Sequence, residues 1–163
     1  MRLNLKLIAV CASVFLIAAC SSKPDDTQVV TSTNTVSGPL AGSQEDLEAT
    51  AGHRVFFGFD AFQLDSEAQE TLRRQAAWLS ANPAVGVLVS GNADERGTRE
   101  YNIALGARRA NAAKDFLVSL GVDPSRISTI SYGEERPIAL GSNEQSWALN
   151  RNATTLVQTG PAS

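Results

Sequence analysis

Asp94 and Arg109 are two oppositely charged side chains that the sequence could place together as a binding site for a small ligand. Asp94 lies in residues 91–97, which combine charged and amide groups with two glycines directly after a predicted buried strand. Arg109 lies on the helix predicted to follow, and the spacing of Asn102 and Leu105 puts all three on one face. A guanidinium binds a carboxylate through two parallel hydrogen bonds and a carboxylate binds an ammonium, so the pair suits a zwitterionic ligand. On spacing alone, a structural Asp94–Arg109 ion pair and a core role for Leu105 are open alternatives.

The charge and the cysteine and histidine counts argue against several other classes of protein. The formal net charge of −3 over 163 residues disfavours nucleic-acid binding and adhesion to anionic lipid through a basic patch. Both cysteines, Cys11 and Cys20, precede the predicted domain, which therefore has no disulfide framework and no thiolate metal site. The single histidine, His53, has no HExxH context, and Glu134 and Glu135 lie in a predicted solvent-facing turn. We therefore expect no metal, no cofactor and no enzymatic activity.

Residues 1–20 have the pattern of an export signal. Two basic residues precede an uninterrupted apolar or small-residue run over residues 7–19, which ends at Cys20. The run is too short for a membrane-spanning helix, which needs roughly 20 apolar residues. Residues 16–20, Leu-Ile-Ala-Ala-Cys, resemble the lipobox of bacterial lipoprotein precursors, which implies cleavage before Cys20 and lipidation of its thiol. An ordinary signal peptide with an incidental cysteine and an uncleaved anchor are the alternatives.

Residues 21–44 are predicted to form a flexible tether between Cys20 and a single folded domain. Ser, Thr, Asp, Pro and Gly dominate the segment, so it lacks the apolar surface needed to offset its ordering entropy. Fully extended, it would span at most about 80 Å. Ser21, rather than Asp, follows the cysteine, which in the lipoprotein pattern indicates transport to the outer membrane. The domain is predicted over residues 45–158, with residues 159–163 as a tail.

Hydrophobic periodicity predicts an α/β fold, an α/β sandwich in which a mixed four-stranded sheet carries helices on one face. The predicted order is β-α-β-α-β-(α)-β, preceded by one or two helical turns. The strands are predicted at residues 54–59, 85–90, 127–131 and 154–158. The helices are predicted at residues 44–51, 66–82, 98–121 and 143–150. Ser66 and Gln69 have the spacing of a capping box, which predicts Ser66 as an N-cap.

Residues 91–110 closely resemble the signature of the OmpA-like peptidoglycan-binding domain. Their string Ala-Asp-Glu-Arg-Gly-Thr, at residues 93–98, is most similar to the peptidoglycan-associated lipoproteins, the Pal family of the Tol–Pal system. Three further segments fit the same family: residues 56–60, 131–137 and 150–151. The resemblance covers residues 45–158 and implies an OmpA-like fold that binds diaminopimelate in the uncrosslinked stem peptide of peptidoglycan.

The resemblance also implies roles for the residues of the predicted zwitterion site. Arg109 would bind the carboxylate of the ligand, and Asp94 would bind its ammonium. Asn102 and Leu105 would shape the pocket between them. Diaminopimelate carries a second amino–carboxylate centre at its free end, so the ligand of this family has the charges that the spacing suggests.

The backbone amides of Phe59 and Asp60 close the other side of the pocket implied by the resemblance. Two positions near it depart from the family. Asn92 replaces a histidine that is common there, and Asn152 replaces a second arginine that usually follows Arg151. The second substitution removes one positive charge near the pocket.

The function implied by the resemblance is that of a non-catalytic outer-membrane lipoprotein on the periplasmic face of a Gram-negative envelope. It would tether the outer membrane to the cell wall, bind the propeller protein TolB, and support envelope integrity and cell division. An OmpA-like wall-binding lipoprotein without a Tol partner is the alternative. A wall amidase or glycosidase is disfavoured by the missing catalytic motifs, and a motor stator is disfavoured by the lipobox, since a stator needs a transmembrane helix.

Overall fold

A computed structural model describes residues 38–158 of the chain. The predicted signal segment, the lipidation of Cys20, residues 21–37 of the predicted tether and the tail at 159–163 lie outside the described residues. Within residues 38–158 the α-helices are α1 (Gln44–Thr50), α2 (Ser66–Ala81), α3 (Arg99–Ser119) and α4 (Glu144–Asn150). The strands are β1 (Arg54–Phe56), β2 (Gly86–Asn92), β3 (Ile127–Gly133) and β4 (Asn152–Gln158), and a short 3-10 helix spans Pro124–Arg126.

The strands form one sheet in the order β1-β4-β2-β3. β4 runs antiparallel to both of its neighbours, β1 and β2, whereas β2 and β3 are parallel. Val87 of β2 marks the register, because it lies opposite Ile127 of β3 on one side and Val157 of β4 on the other. The predicted mixed four-stranded sheet and the α/β fold class are therefore confirmed.

Several strand boundaries differ from the prediction. β1 ends at Phe56 instead of residue 59 because residues 58–61 form a turn, which contains Asp60 with a φ of 51°. β2 and β3 each run two residues further than predicted, since Asn92 still pairs with Gly133 beyond a register shift. β4 begins at Asn152, two residues earlier than predicted. The polar segment at residues 91–97, which follows the predicted strand, therefore begins within β2.

The helix starts depend on side-chain caps. The prediction that Ser66 caps α2 is wrong, because Ser66 is the first helical residue and Asp65 is the N-cap. The Asp65 carboxylate accepts a hydrogen bond from the Ala68 amide at 2.8 Å, and aspartate is as strong a cap as serine. At α3 the Thr98 hydroxyl accepts from the Tyr101 amide at 3.2 Å. The predicted start of the long helix at residue 98 is thus correct to one residue.

One apolar cluster fills the space between the sheet and the helices α1, α2 and α3. Val87 and Val89 of β2 are fully buried in it. The helices contribute Leu47 from α1, Leu72 from α2 and Leu117 from α3. Because these side chains join one cluster, the three helices lie on the same face of the sheet. None of the helices within residues 38–158 is both long enough and apolar enough to cross a membrane.

α3 lies against β2 at two glycines, Gly91 and Gly106. A Cβ atom on Gly91 would lie 1.8 Å from the carbonyl oxygen of Gly106, and one on Gly106 would lie 2.4 Å from the Ser131 hydroxyl oxygen. Only glycine permits this approach of helix backbone to strand backbone. The contact fixes the height of α3 above the sheet, and therefore the position of the side chains that α3 directs toward the end of β2.

Candidate ligand-binding site

A pocket of about 210 Å³ lies where β2 ends and α3 begins. Its lining consists of Phe59, Asp60, Ala93, Asp94, Arg96, Gly97, Tyr101, Asn102, Leu105 and Arg109. The six residues predicted from the sequence are all among them: Phe59, Asp60, Asp94, Asn102, Leu105 and Arg109. The structure therefore brings the predicted residues together, and their contact with a ligand stays a prediction.

Arg109 is 0% exposed, and backbone carbonyl groups hold its guanidinium. Its Nε donates to the Ala61 carbonyl at 2.8 Å, Nη1 to the Asn92 carbonyl at 2.7 Å, and Nη2 to the Gly58 carbonyl at 3.2 Å. Burial lowers the pKa of Arg109 to about 10, although the charge of Asp94 opposes the shift, so the group stays charged at neutral pH. Arg109 thus brings a fixed positive charge to the wall of the pocket.

Asp94 forms ion pairs with arginines other than Arg109. Its carboxylate accepts from Arg96 Nη2 at 2.7 Å and from Arg151 Nη1 at 3.3 Å, and its side chain is 4% exposed. The alternative of a structural Asp94–Arg109 ion pair is therefore wrong. Burial alone would raise the pKa of Asp94, but hydrogen bonds from Arg96 and Arg151 outweigh it and hold the pKa below its usual value. Asp94 is thus a carboxylate at neutral pH.

Arg96 and Arg151 are the site residues that the sequence reasoning missed. Glu144, in the first turn of α4, accepts from Arg151 Nη2 at 2.8 Å and lies 3.5 Å from Arg96 Nη1, which closes a ring of four charges with Asp94. The Arg96 guanidinium also lies between the rings of Phe59 and Trp147, at 4.2 and 4.1 Å from their centroids. Arg96 could have been suspected from its spacing of two residues from Asp94, whereas Arg151 and Glu144 carry no local signal.

Asn102 and Leu105 form the α3 side of the pocket. Asn102 is 1% exposed, and its Nδ2 donates to the Asp94 backbone carbonyl at 3.1 Å and to the Glu134 carboxylate. Leu105 is 4% exposed and supplies apolar surface next to Arg109. The amide therefore fixes the Asp94 loop against α3, and the leucine excludes water from the charged wall.

The opposite side of the pocket is the bend at residues 58–61. The Ala61 amide donates to the Gly58 carbonyl at 3.3 Å, which makes the bend a β-turn with Phe59 and Asp60 at its centre. Within residues 38–158, neither the Phe59 amide nor the Asp60 amide donates a hydrogen bond. The Tyr101 hydroxyl donates to the Asp60 carboxylate across the pocket. The N–H groups of these two amides are therefore free to donate to an acceptor atom of a ligand.

Asn92 and Asn152, the two residues that depart from the family pattern, contact each other. Asn92 Nδ2 donates to Asn152 Oδ1 at 2.9 Å, and the two side chains are 7% and 1% exposed. Asn152 also donates to the carbonyls of Leu149 and Asn150, so its amide is saturated. The two substitutions form one buried polar contact behind the pocket, and the missing arginine leaves no unpaired buried group there.

The ion pairs of Asp94 are expected to make the folded protein less stable at low pH. Its pKa in the folded protein lies below the ordinary value of 3.8, so the ion pairs stabilise the fold at neutral pH and are lost as the pH falls through the folded pKa. We expect the stability advantage of wild type over Asp94→Asn to be constant above about pH 5 and to shrink below it. Urea denaturation between pH 3 and pH 7 measures this difference, with Asp115→Asn on the exposed side of α3 as the control. A difference that is the same at pH 3 and pH 7 would contradict the assignment.

Metal chemistry has no support in the arrangement of the side chains. Among residues 38–158, no group of three or more histidine, cysteine, aspartate and glutamate side chains could hold a metal ion. The charges at the pocket are instead paired arginines and carboxylates. They suit the binding of an organic ion with charges of both signs.

Comparison with known proteins places the chain in a family. Residues 56–151, more than half of the chain, match the OmpA family. The chain belongs to the OmpA family. Within this family it is similar to the peptidoglycan-associated lipoprotein of Mesorhizobium japonicum, with 45% identity over 152 residues that cover 93% of this chain and 90% of that protein. It is also similar to the peptidoglycan-associated lipoprotein of Agrobacterium fabrum, with 53% identity over 116 residues, which are 71% of this chain and 66% of that protein.

Solved structures of the OmpA family share the fold. The crystal structure of the peptidoglycan-associated lipoprotein from Burkholderia pseudomallei has a TM-score of 0.63 and 42% sequence identity, and the match covers 65% of this chain and 90% of that one. The carboxy-terminal domain of Helicobacter pylori MotB has a TM-score of 0.61 at 22% identity, covering 65% and 84%. The similarity to the MotB domain concerns the fold alone. The predicted resemblance to OmpA-like domains and to the Pal family is therefore confirmed.

Proposed function

We propose that the chain is a non-catalytic lipoprotein that binds diaminopimelate in the stem peptide of peptidoglycan and tethers the outer membrane to the cell wall. The observation that carries the proposal is the meeting of Arg109, two free backbone amides and Asp94 in one pocket of about 210 Å³. The relatives at 45–53% identity that bear the name peptidoglycan-associated lipoprotein support it. The free end of diaminopimelate is a zwitterion, and the pocket offers partners for both of its charges.

The carboxylate of the ligand binds on the side of Arg109. Three of the five N–H groups of this guanidinium donate to backbone carbonyls, which leaves two for a ligand. The free amides of Phe59 and Asp60 lie across the same pocket. A carboxylate has two oxygens with about four lone-pair sites, so it can accept from the guanidinium and from the amides together.

The ammonium of the ligand binds on the side of Asp94. Arg96 covers this carboxylate, and at 30% exposure its side chain is the more accessible of the two arginines that pair with Asp94. The ammonium therefore shares the carboxylate with Arg96, while the buried Arg151 stays in place. Sharing a paired carboxylate yields only part of a charge–charge attraction, so a single site binds weakly. Many lipid-anchored copies on one wall would supply the holding force through avidity.

Sedimentation with purified peptidoglycan tests the proposal. Wild-type protein should sediment with walls whose stem peptides carry meso-diaminopimelate, and about tenfold less well with walls that carry lysine, because lysine lacks the distal carboxylate. Asp94→Asn, which keeps the side-chain volume, should bind the first kind of wall weakly, whereas Asp115→Asn should bind like wild type. Equal binding to both walls would exclude recognition of the distal zwitterion.

Anchoring at the outer membrane rests on the lipobox, which lies outside the described residues. Cells that express the chain should incorporate labelled palmitate into it, and Cys20→Ser should abolish the label and release the protein from the membrane fraction. Capture of purified TolB by the protein, with competition from muropeptide, would place it in a Tol–Pal system. Wall binding without TolB capture would favour a wall-binding lipoprotein that has no Tol partner.

A further inference from the structure

The turn at residues 58–61 holds an aspartate where the backbone favours glycine. Asp60 has a φ of 51°, and it is the only non-glycine residue with positive φ within residues 38–158. It stands at the third position of the turn, after Phe59, whose φ is not positive. A positive φ at the third position alone is the pattern of a type II turn, in which glycine or asparagine is preferred. Aspartate takes this conformation more readily than most residues but less readily than glycine, so contacts of its side chain can add to the stability of the turn.

The sign of φ at Asp60 decides where the amides of the turn point. In a type II turn the peptide group between the second and third residues is reversed relative to a type I turn. Without support, an ordinary residue at this position prefers the type I conformation, because the left-handed region is disfavoured for side chains with a Cβ atom. A change to type I would turn the Asp60 amide away from its present direction. The direction of the free Asp60 amide therefore depends on what holds Asp60, whereas the Phe59 amide belongs to the preceding peptide group and is not reversed.

Two side chains of α3 hold the turn. Arg109 donates to the Gly58 and Ala61 carbonyls, which are the first and last residues of the turn. Tyr101, in the first turn of α3, donates its hydroxyl to the Asp60 carboxylate at the centre. The same hydrogen bond raises the pKa of Tyr101, so the hydroxyl keeps its proton at neutral pH. The ends of the turn are thus fixed by a buried cation and its centre by one phenol.

We propose that Tyr101 is a positioning residue for ligand binding, which holds Asp60 in the left-handed conformation so that the Asp60 amide faces the pocket beside Arg109. The inference rests on the proposed function, because it assigns a means of positioning to the carboxylate side of the same site. Tyr101 acts through Asp60 and needs no contact with the ligand. Tyr101 holds Asp60 by donating a hydrogen bond to its carboxylate. The side chain is needed there as a hydrogen-bond acceptor, and its negative charge matters less.

The affinity for a muropeptide whose stem ends in meso-diaminopimelate, measured by titration calorimetry with purified protein, tests the proposal. Tyr101→Phe should bind about five- to tenfold more weakly than wild type, on the scale of one lost net hydrogen bond. Asp60→Asn should lose clearly less affinity than Asp60→Ala, because asparagine accepts from the phenol and tolerates positive φ. Asp60→Ala should bind as weakly as Tyr101→Phe or more so.

Asp60→Gly provides the matched background, because glycine takes positive φ without help. In that background Tyr101→Phe should change the affinity less than twofold. An equal loss in both backgrounds would show that Tyr101 contacts the ligand directly, and wild-type affinity of Tyr101→Phe would show that it has no role; either result overturns the inference. A loss in Asp60→Asn as large as in Asp60→Ala would overturn it too, since the charge itself would then be the requirement. Absence of wild-type binding would instead overturn the proposed function.

Discussion

Replacing Arg109 with alanine should lower the free energy of unfolding by at least about 3 kcal/mol. The guanidinium is fully buried and donates to three backbone carbonyls, those of Gly58, Ala61 and Asn92. Alanine would remove the donor from all three carbonyls, of which only that of Gly58 keeps the Ala61 amide as a described partner, and it would leave a cavity and free the turn at residues 58–61 from α3. Urea denaturation of the purified variant measures the loss. The variant is therefore expected to lose structure together with any binding.

Arg108 is the matched control, since it is the neighbouring residue of the same type. Its guanidinium is exposed and stacks over the rings of Phe62 and Tyr101 at 5.4 and 5.8 Å. Arg108→Ala should stay within about 0.5 kcal/mol of wild type. If the two variants were equally stable, the three carbonyl contacts of Arg109 would contribute nothing measurable. This expectation also makes Asp94→Asn the better probe of wall binding, because its effect on binding is easier to separate from unfolding.

Gly91→Ala should be destabilised by about 3 kcal/mol or more, because it overpacks a backbone-to-backbone contact. The new Cβ atom would lie 1.8 Å from the Gly106 carbonyl oxygen, 2.6 Å from its carbon and 3.0 Å from the Ala110 nitrogen. All three atoms belong to the α3 backbone, so no side-chain rotation relieves the clash and the helix has to move. Such a shift would displace Arg109 from its carbonyl partners. Urea denaturation gives the loss, and heteronuclear NMR spectra would show which residues move.

Gly38→Ala is the control for this substitution. Nothing lies within 4 Å of a Cβ atom at Gly38, so the same chemical change should be close to neutral there. A Gly91→Ala protein that unfolds at the same urea concentration as wild type would contradict the close approach of α3 to β2.

The sequence was a good guide to the elements whose signal is local. The apolar run of β2 and the periodic residues of α2 and α3 are confirmed, and α3 begins within one residue of its predicted start, with Thr98 as its N-cap. The errors fall at the ends of strands and at the N-cap of α2, which is Asp65 and not Ser66. β1 was extended across aromatic residues that continue the strand pattern, but the chain leaves the sheet for the turn at residues 58–61. A conformation stabilised by Tyr101, forty-one residues away, leaves no mark on the local pattern.

The sequence predicted part of the lining of the pocket, but it missed Arg96 and Arg151 and did not predict how the charges pair. Asp94, Asn102, Leu105 and Arg109 do surround one pocket. The spacing suggested that Asp94 and Arg109 face each other across it with free charges, but carbonyl groups hold Arg109 and two other arginines hold Asp94. Pairing of this kind depends on partners brought together by the sheet order. It follows from the fold and could not be read from distances along the sequence.

The position of β4 has a consequence for the way the chain reaches its folded state. β4 lies between β1 and β2, and Arg54 pairs with Thr154 across a loop of 100 residues. Chains dominated by such distant pairings fold slowly, because the entropy of loop closure is lost before the contacts form. A chain exported amino end first, as residues 1–20 predict, presents β4 last. With the export that residues 1–20 predict, we expect the sheet to close only after β4 has crossed, once almost the whole domain is available for pairing.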